Sequence, residues 1–249
     1  MKVLGFDLET GGAFNLPKEE NWITEIGCVL WDTDTNMPLE IYNTLVQPEG
    51  KEVSPEAVEY TGITTEMCNN HGVNELDALN KFSDMAFEAN YLVAHNGRNF
   101  DIPIMASRFK ALGLRTPGKT LIDTMTDIPF PNNCKSRNLT YLQAFHGFAN
   151  PFPHRAVSDV LSMLKVMAMY PWEEVQAIAE SPIVKLIAKF QYPKERNGNF
   201  KQAMEDFNTI KDGVKNLGFK WHPDSKTWVL ESKLILINNM EFPCPVEEV

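Results

Sequence analysis

The chain has 249 residues but only four cysteines, Cys28, Cys68, Cys134 and Cys244, with no C-x-x-C spacing among them. Neither a disulfide framework nor a zinc ribbon is expected, and the thiols read as reduced. No apolar run approaches the ~18 residues that a membrane-spanning helix needs. A charge as early as Asp7 leaves no room for the apolar region of a signal peptide. The expected location is therefore cytoplasmic, with no membrane partner. Basic residues are scarce too: 23 Lys and Arg against 33 Asp and Glu give a net charge of −10. That argues against holding nucleic acid mainly through a basic surface, so a nucleic-acid substrate would require metal cations. Glycine and proline, 14 and 16 residues, are at ordinary levels, which excludes collagen-like and linker-dominated chains. What is present is 43% hydrophobic residues, enough core for one large domain and a smaller one.

Hydrophobic patterning supplies the outline. Residues 3–6 are a short apolar run leading into Asp7-Leu8-Glu9-Thr10-Gly11-Gly12, read as a buried strand with carboxylates at its end. Strands at 23–31 and 41–46 complete an antiparallel meander. Ser54-Pro55 has the form of an N-cap followed by proline at the first helical position. A helix is expected over 75–89, a fourth strand at 91–94, a helix over 101–112 and a short fifth strand at 121–122. Helices over 139–146 and from Ala156 to just before Pro171 follow. This order predicts an α/β fold, a mixed five-stranded sheet flanked by helices, over residues 1–171.

Residues 172–249 read as a C-terminal accessory module. The stretch 183–233 holds ten Lys or Arg and six Asp or Glu, a local excess of basic charge in an acidic chain. A helix over 210–217 closing at Gly218, then a hairpin with its turn at 223–226, make a small helix-hairpin unit. Lys220, Trp221 and Trp228 are candidates for an accessory nucleic-acid contact or a face for a replication or repair protein. They also suit the core of a small domain. The tail 243–249 reads as a frayed end.

Three clusters carry chemistry. Asp7 and Glu9, two apart, project to one side of a strand as a crowded negative pair. Asp101 follows His95-Asn96-Gly97-Arg98-Asn99-Phe100 at a helix start. His154 lies on a loop after Pro153, and Asp159 one turn into the next helix beside apolar Val157, Val160 and Leu161, where an unpartnered carboxylate is expensive to desolvate.

The order D-x-E, H-N-x-x-x-x-D, H-x-x-x-x-D resembles the DEDDh branch of the DEDD 3′-5′ exonucleases, a group with a ribonuclease H-like fold that includes the proofreading epsilon subunit of bacterial DNA polymerase III. The likeness covers roughly residues 1 to 170 and extends to Glu25-Ile26-Gly27 and to Ser54-Pro55-Glu56-Ala57 leading to Gly62-Ile63-Thr64. It implies that Asp7, Glu9, Asp101 and Asp159 bind metal and that His154 is the general base. It further implies a single-stranded 3′ end as substrate, held near Leu8, Thr10, Glu56, Thr61, Asn96 and Phe100, and 5′-mononucleotides as product. Thr61 stands where such sequences often have histidine.

Two divalent ions, Mg²⁺ or Mn²⁺, suit four oxygen-donor carboxylates, and two double positive charges cancel four negative ones. The expected activity is hydrolysis of DNA from its 3′ end in replication or repair. Two other readings fit the same residues. One is an exoribonuclease or oligonucleotidase; the other is a silent nucleic-acid-binding or polymerase-associated module.

Overall fold

Alternation along one central strand decides which helices pack where. The computed structural model describes residues 1–193 and 200–249. Its elements run β1 (Lys2–Thr10), β2 (Ile23–Asp32), β3 (Met37–Leu45), α1 (Pro55–Thr61), α2 (Thr65–His71) and α3 (Glu75–Glu88). Then come β4 (Tyr91–Ala94), α4 (Asp101–Ala111), β5 (Thr120–Asp123), α5 (Leu139–Phe145), α6 (Ala156–Met167) and α7 (Trp172–Glu180). The sheet order is β3-β2-β1-β4-β5. The meander pairs are antiparallel, and β4 pairs in parallel with both β1 and β5. The expected five-stranded mixed sheet is present.

Leu4, Phe6 and Leu8 of β1 point to one face, into a core with Leu79, Phe82 and Met85 of α3 and Ile104 and Phe109 of α4. Val3 points to the other, into a core with Val160, Met163 and Leu164 of α6. Period-two alternation therefore turns Asp7 and Glu9 toward the α6 side. β1 extends further than the apolar run at 3–6 indicates. Pairing of Asp7 with Gly27 and of Glu9 with Glu25 continues the ladder through both carboxylates, up to an irregularity between Glu9 and Thr10. β3 likewise starts earlier, at Met37.

Two glycines let α6 approach the sheet. A Cβ on Gly5 would stand 2.8 Å from Leu164 Cδ1, and one on Gly27 would stand 2.4 Å from the backbone nitrogen of Val157. The second neighbour is main chain and cannot swing aside. Gly27→Ala is expected to push the start of α6 away from the sheet and destabilise by about 1–3 kcal/mol, read as a fall in the calorimetric Tm. An unchanged Tm would show that α6 does not rest on this position.

The chain divides into compact units at Met1–Ala179 and Glu180–Val249. The division falls one helix beyond Pro171, because Val175 and Ala179 of α7 join the core around α6. The second unit contains β6 (Ile183–Ala188), α8 (Phe200–Asn216), β7 (Lys220–His222), β8 (Thr227–Lys233), α9 (Leu234–Ile237) and β9 (Val246–Glu248). The expected hairpin exists as β7–β8, with Trp221 opposite Trp228. It belongs to a four-stranded antiparallel sheet of order β7-β8-β6-β9, not to a bare helix-hairpin. The helix is longer than the expected 210–217, starting at Phe200. Of the basic stretch at 183–233, residues 194–199 lie outside the described residues. The tail is no frayed end: β9 pairs with β6, and Glu247 forms an ion pair with Lys189. Leu186, Val214, Phe219 and Leu230 form this unit's own core.

All four cysteines are free thiols. Among the described residues no helix is long and apolar enough to cross a membrane.

Candidate active site

A buried ion pair places the first turn of α6. Glu25, fully buried on β2, accepts Arg155 Nε at 3.1 Å and its terminal nitrogen at 2.6 Å, and also the Ala156 backbone N–H at 3.0 Å. A buried carboxylate needs such partners, because desolvation outweighs attraction unless its lone pairs are filled. Here two of the partners are the residues that start α6, and the third is Asn43 of β3, whose side-chain amide donates to Glu25 at 3.0 Å. With Gly27 beneath, this clamp brings Asp159 over β1. Asp7, Glu9 and Asp159 each offer an oxygen, and these oxygens all lie within 4.8 Å of one another.

Asp159 is itself held. Its two oxygens accept Asn150 Nδ2 at 2.6 Å and the His154 backbone N–H at 3.1 Å. Asn150 in turn accepts the Ser158 hydroxyl. His154 adopts φ 61°, a left-handed conformation costly for a residue with a Cβ. Its ring lies against Tyr60 of α1, centroids 3.9 Å apart, and Phe14 meets the edge of Tyr60 at 5.7 Å.

Asp101 does not join the group whose oxygens converge. Buried at the first position of α4, it accepts the Leu8 backbone N–H at 3.1 Å. The loop before it is fixed by two acids with no distinctive sequence pattern. Asp123 accepts the backbone N–H groups of Asn96 and Arg98, and Asp127 takes the Arg98 guanidinium at 3.1 and 2.5 Å.

The charges are in conflict. Burial first, then the charges of Asp101, Glu9 and Asp159, hold the Asp7 carboxyl well above the usual carboxylate range. Glu9 is pushed up to about 8 by burial and by Asp159, Glu25 and Asp101, with Arg155 only partly opposing. Asp101 is also raised to about 8, by burial, against the backbone N–H groups that favour its ionised form. Burial raises Asp159 as well, while the His154 N–H and Asn150 pull it down. Arg155, the nearby cation, is committed to Glu25.

These groups open on a cleft of about 490 Å³ lined by Asp7, Glu9, His154 and Asp159 together with Leu8, Thr10, Thr61, Asn96 and Phe100. Thr10 accepts Asn21 Nδ2, and the Thr61 hydroxyl donates to the Ala57 carbonyl and accepts the Ile63 N–H. Asn96, at φ 61°, accepts Asn99 Nδ2. Phe100 lies 4.5 Å beneath the Lys18 ammonium. Neither Glu56, exposed on the first turn of α1, nor Asp101 lines the cleft. Lys220, Trp221 and Trp228 lie in the other unit. Sequence reasoning missed Tyr60, Asn150, Lys18 and Phe14. Tyr60 alone left a signal: with Ala57 and Thr61 it follows i, i+3, i+4 spacing on a helix whose start Ser54 marks.

The family model for the exonucleases RNase_T matches residues 4–167. A DNA polymerase III PolC-type of Ureaplasma parvum serovar 3 is 33% identical over 134 residues, which are 54% of this chain and 9% of that protein. Three-prime repair exonuclease 1 of Bos taurus is 29% identical over 140 residues, 49% of this chain and 44% of its own length. The chain thus spans less than half of these curated relatives. Among solved structures, the nuclease domain of 3′hExo, a DEDDh family member bound to rAMP, superposes with a TM-score of 0.57 at 18% identity, covering 68% of this chain and 90% of that one. E. coli Exonuclease I in complex with a dT13 oligonucleotide gives 0.60 at 16% identity, covering 100% and 63%. At these identities the likeness is one of fold.

Proposed function

The chain belongs to the exonuclease family RNase_T, whose match spans residues 4–167, and from that premise we propose that it is a metal-dependent 3′-5′ exonuclease releasing 5′-mononucleotides from single-stranded DNA. The observation that carries the proposal is the convergence of Asp7, Glu9 and Asp159 within 4.8 Å. Crowded carboxylates with raised proton affinity, whose neighbouring Arg155 is committed to Glu25, are the surroundings a divalent ion would complete. Enzymes of this family use divalent metals. An all-oxygen donor set is that of hard ions, so two Mg²⁺ or Mn²⁺ suit it better than zinc.

Asp7, Glu9 and Asp159 would hold the metal, and Asp101 would complete the set if it turned from the Leu8 N–H. When bound, such ions neutralise phosphoryl oxygens, activate water and stabilise a leaving oxygen. The imidazole of His154 would accept the proton of the attacking water, and the ring of Tyr60 keeps that imidazole from swinging into solvent. Phe100 would offer the terminal base a stacking face, which tolerates any base. Leu8, Thr10, Thr61 and Asn96 line the same floor. The side chains of Thr10, Thr61 and Asn96 are tied into local hydrogen bonds. They would shape the floor more than grip the strand.

DNA is favoured by the likeness to a DNA polymerase III sequence. With Mg²⁺ or Mn²⁺, 5′-labelled single-stranded DNA should shorten in single-nucleotide steps from its 3′ end, and chelator should stop the reaction. Release of mononucleotides from the 5′ end, or undiminished turnover in chelator, would refute the proposal. Faster loss of a matched RNA strand would move the substrate to RNA.

A further inference from the structure

The C-terminal unit carries a groove that the reaction proposed above does not use. Its walls include Phe190, then Phe207 and Lys211 of α8, Trp221 of β7, Lys226 of the hairpin turn and Trp228 of β8, around about 1290 Å³. That exceeds the roughly 300–1,000 Å³ of a small-molecule cleft and suits an extended chain.

Trp221 is 47% exposed, although it stands beside Trp228 on the hairpin with ring centroids 5.6 Å apart. The core of the unit is built from Leu186, Val214, Phe219 and Leu230 without it, so folding does not account for this indole. Phe190 and Phe207 form a second aromatic pair, 5.5 Å between centroids. The charge is of one sign: among the described residues lining the groove there are lysines and no carboxylate. Lys211 donates to the neutral Asn208, and neither Lys211 nor Lys226 makes an ion pair with a described residue. In a chain of net charge −10, a groove whose charged side chains among the described residues are all lysines is a local reversal.

We propose that this groove binds a stretch of single-stranded nucleic acid, with a base stacking on Trp221, which Trp228 backs from the core side, and phosphates facing Lys211 and Lys226. Planar faces beside ammonium groups are what stacked bases on a phosphate backbone require. An acidic peptide would satisfy the lysines but leave the exposed face of Trp221 without a planar partner. The proposal goes beyond hydrolysis at the carboxylate cleft and does not depend on it.

The test uses the full chain in chelator, which keeps the strand intact, and the anisotropy of a labelled dT12 oligonucleotide. Trp221→Ala is expected to weaken binding by about tenfold, as for loss of one stacked base. Lys211→Ala with Lys226→Ala should reduce the slope of log K against log salt by about 1.4, at ~0.7 for each phosphate that is no longer neutralised. Unchanged affinity in Trp221→Ala would overturn the proposal, as would an unchanged salt slope in the double variant. So would displacement of dT12 by oligoglutamate as effective as by unlabelled dT12, which would assign the groove to an acidic protein segment.

Discussion

Asp7→Asn should lower kcat/KM on a 3′-ended DNA strand by about three orders of magnitude while raising the Tm measured in chelator. The first effect follows from removing a charge at the centre of the proposed metal-holding group, where several kcal/mol of transition-state stabilisation would be at stake. The second follows from the same charge considered without metal. The Asp7 carboxyl is half-buried and faces Asp101, Glu9 and Asp159, all of which raise its proton affinity. Asparagine keeps the shape and removes the repulsion, so the folded state gains where the ionised side chain cost it. A rise on the order of 3 °C is expected for a unit of this size. The variant should also lose most of the Tm increase that Mn²⁺ confers on the native sequence. Opposed shifts in activity and stability distinguish a metal-holding role from a packing role, because a packing residue would lose both together. Retained activity, or a lower Tm in chelator, would remove Asp7 from the centre of the site.

The residues that could be read from sequence are those whose position follows from local geometry. Asp7 and Glu9 share a face because a strand alternates, and Asp159 lies one turn into a helix marked by its apolar spacing. What brings these two segments together is not local. Gly5 carries no signal beyond a missing side chain, and Gly27 was legible only as part of a motif, yet each leaves the space that α6 enters. Glu25 was legible as part of a motif, but its bond to the Ala156 N–H, 131 positions away, exists only in the fold. Asn150 sits in a loop rich in turn-forming residues, and nothing in its neighbours distinguishes an asparagine that holds Asp159 from one that caps a turn. The strand β9 illustrates the same boundary. Val246-Glu247-Glu248 has little strand preference, and its extended form comes from the edge of β6 beside it.

In chelator, the Tm of the unit bearing the carboxylate cleft should fall as pH rises from about 6.5 to 8, and saturating Mn²⁺ should cancel most of that fall. Glu9 and Asp101 each titrate near 8 in the folded chain, against ordinary carboxyl values near 4. The folded state therefore binds more protons than the unfolded state across this interval, and stability decreases with rising pH. Each carboxyl contributes on the order of 2 kcal/mol over that range, or together about 8–16 °C. His95 works in the opposite direction, since burial lowers its proton affinity. Its contribution stabilises with rising pH, but it is complete near the ordinary histidine value of about 6.5. The window above 6.5 thus isolates the carboxylates. Metal competes with protons for the same oxygens, so its stabilisation should be larger at pH 8 than at pH 6.5. At a hundredfold excess over its dissociation constant it should contribute about 2.7 kcal/mol. Scanning calorimetry at the two pH values, with chelator and with Mn²⁺, measures all four states. A Tm in chelator that rises between pH 6.5 and 8, or a metal effect of equal size at both, would mean that the acids of the cleft are solvated individually and share no ion.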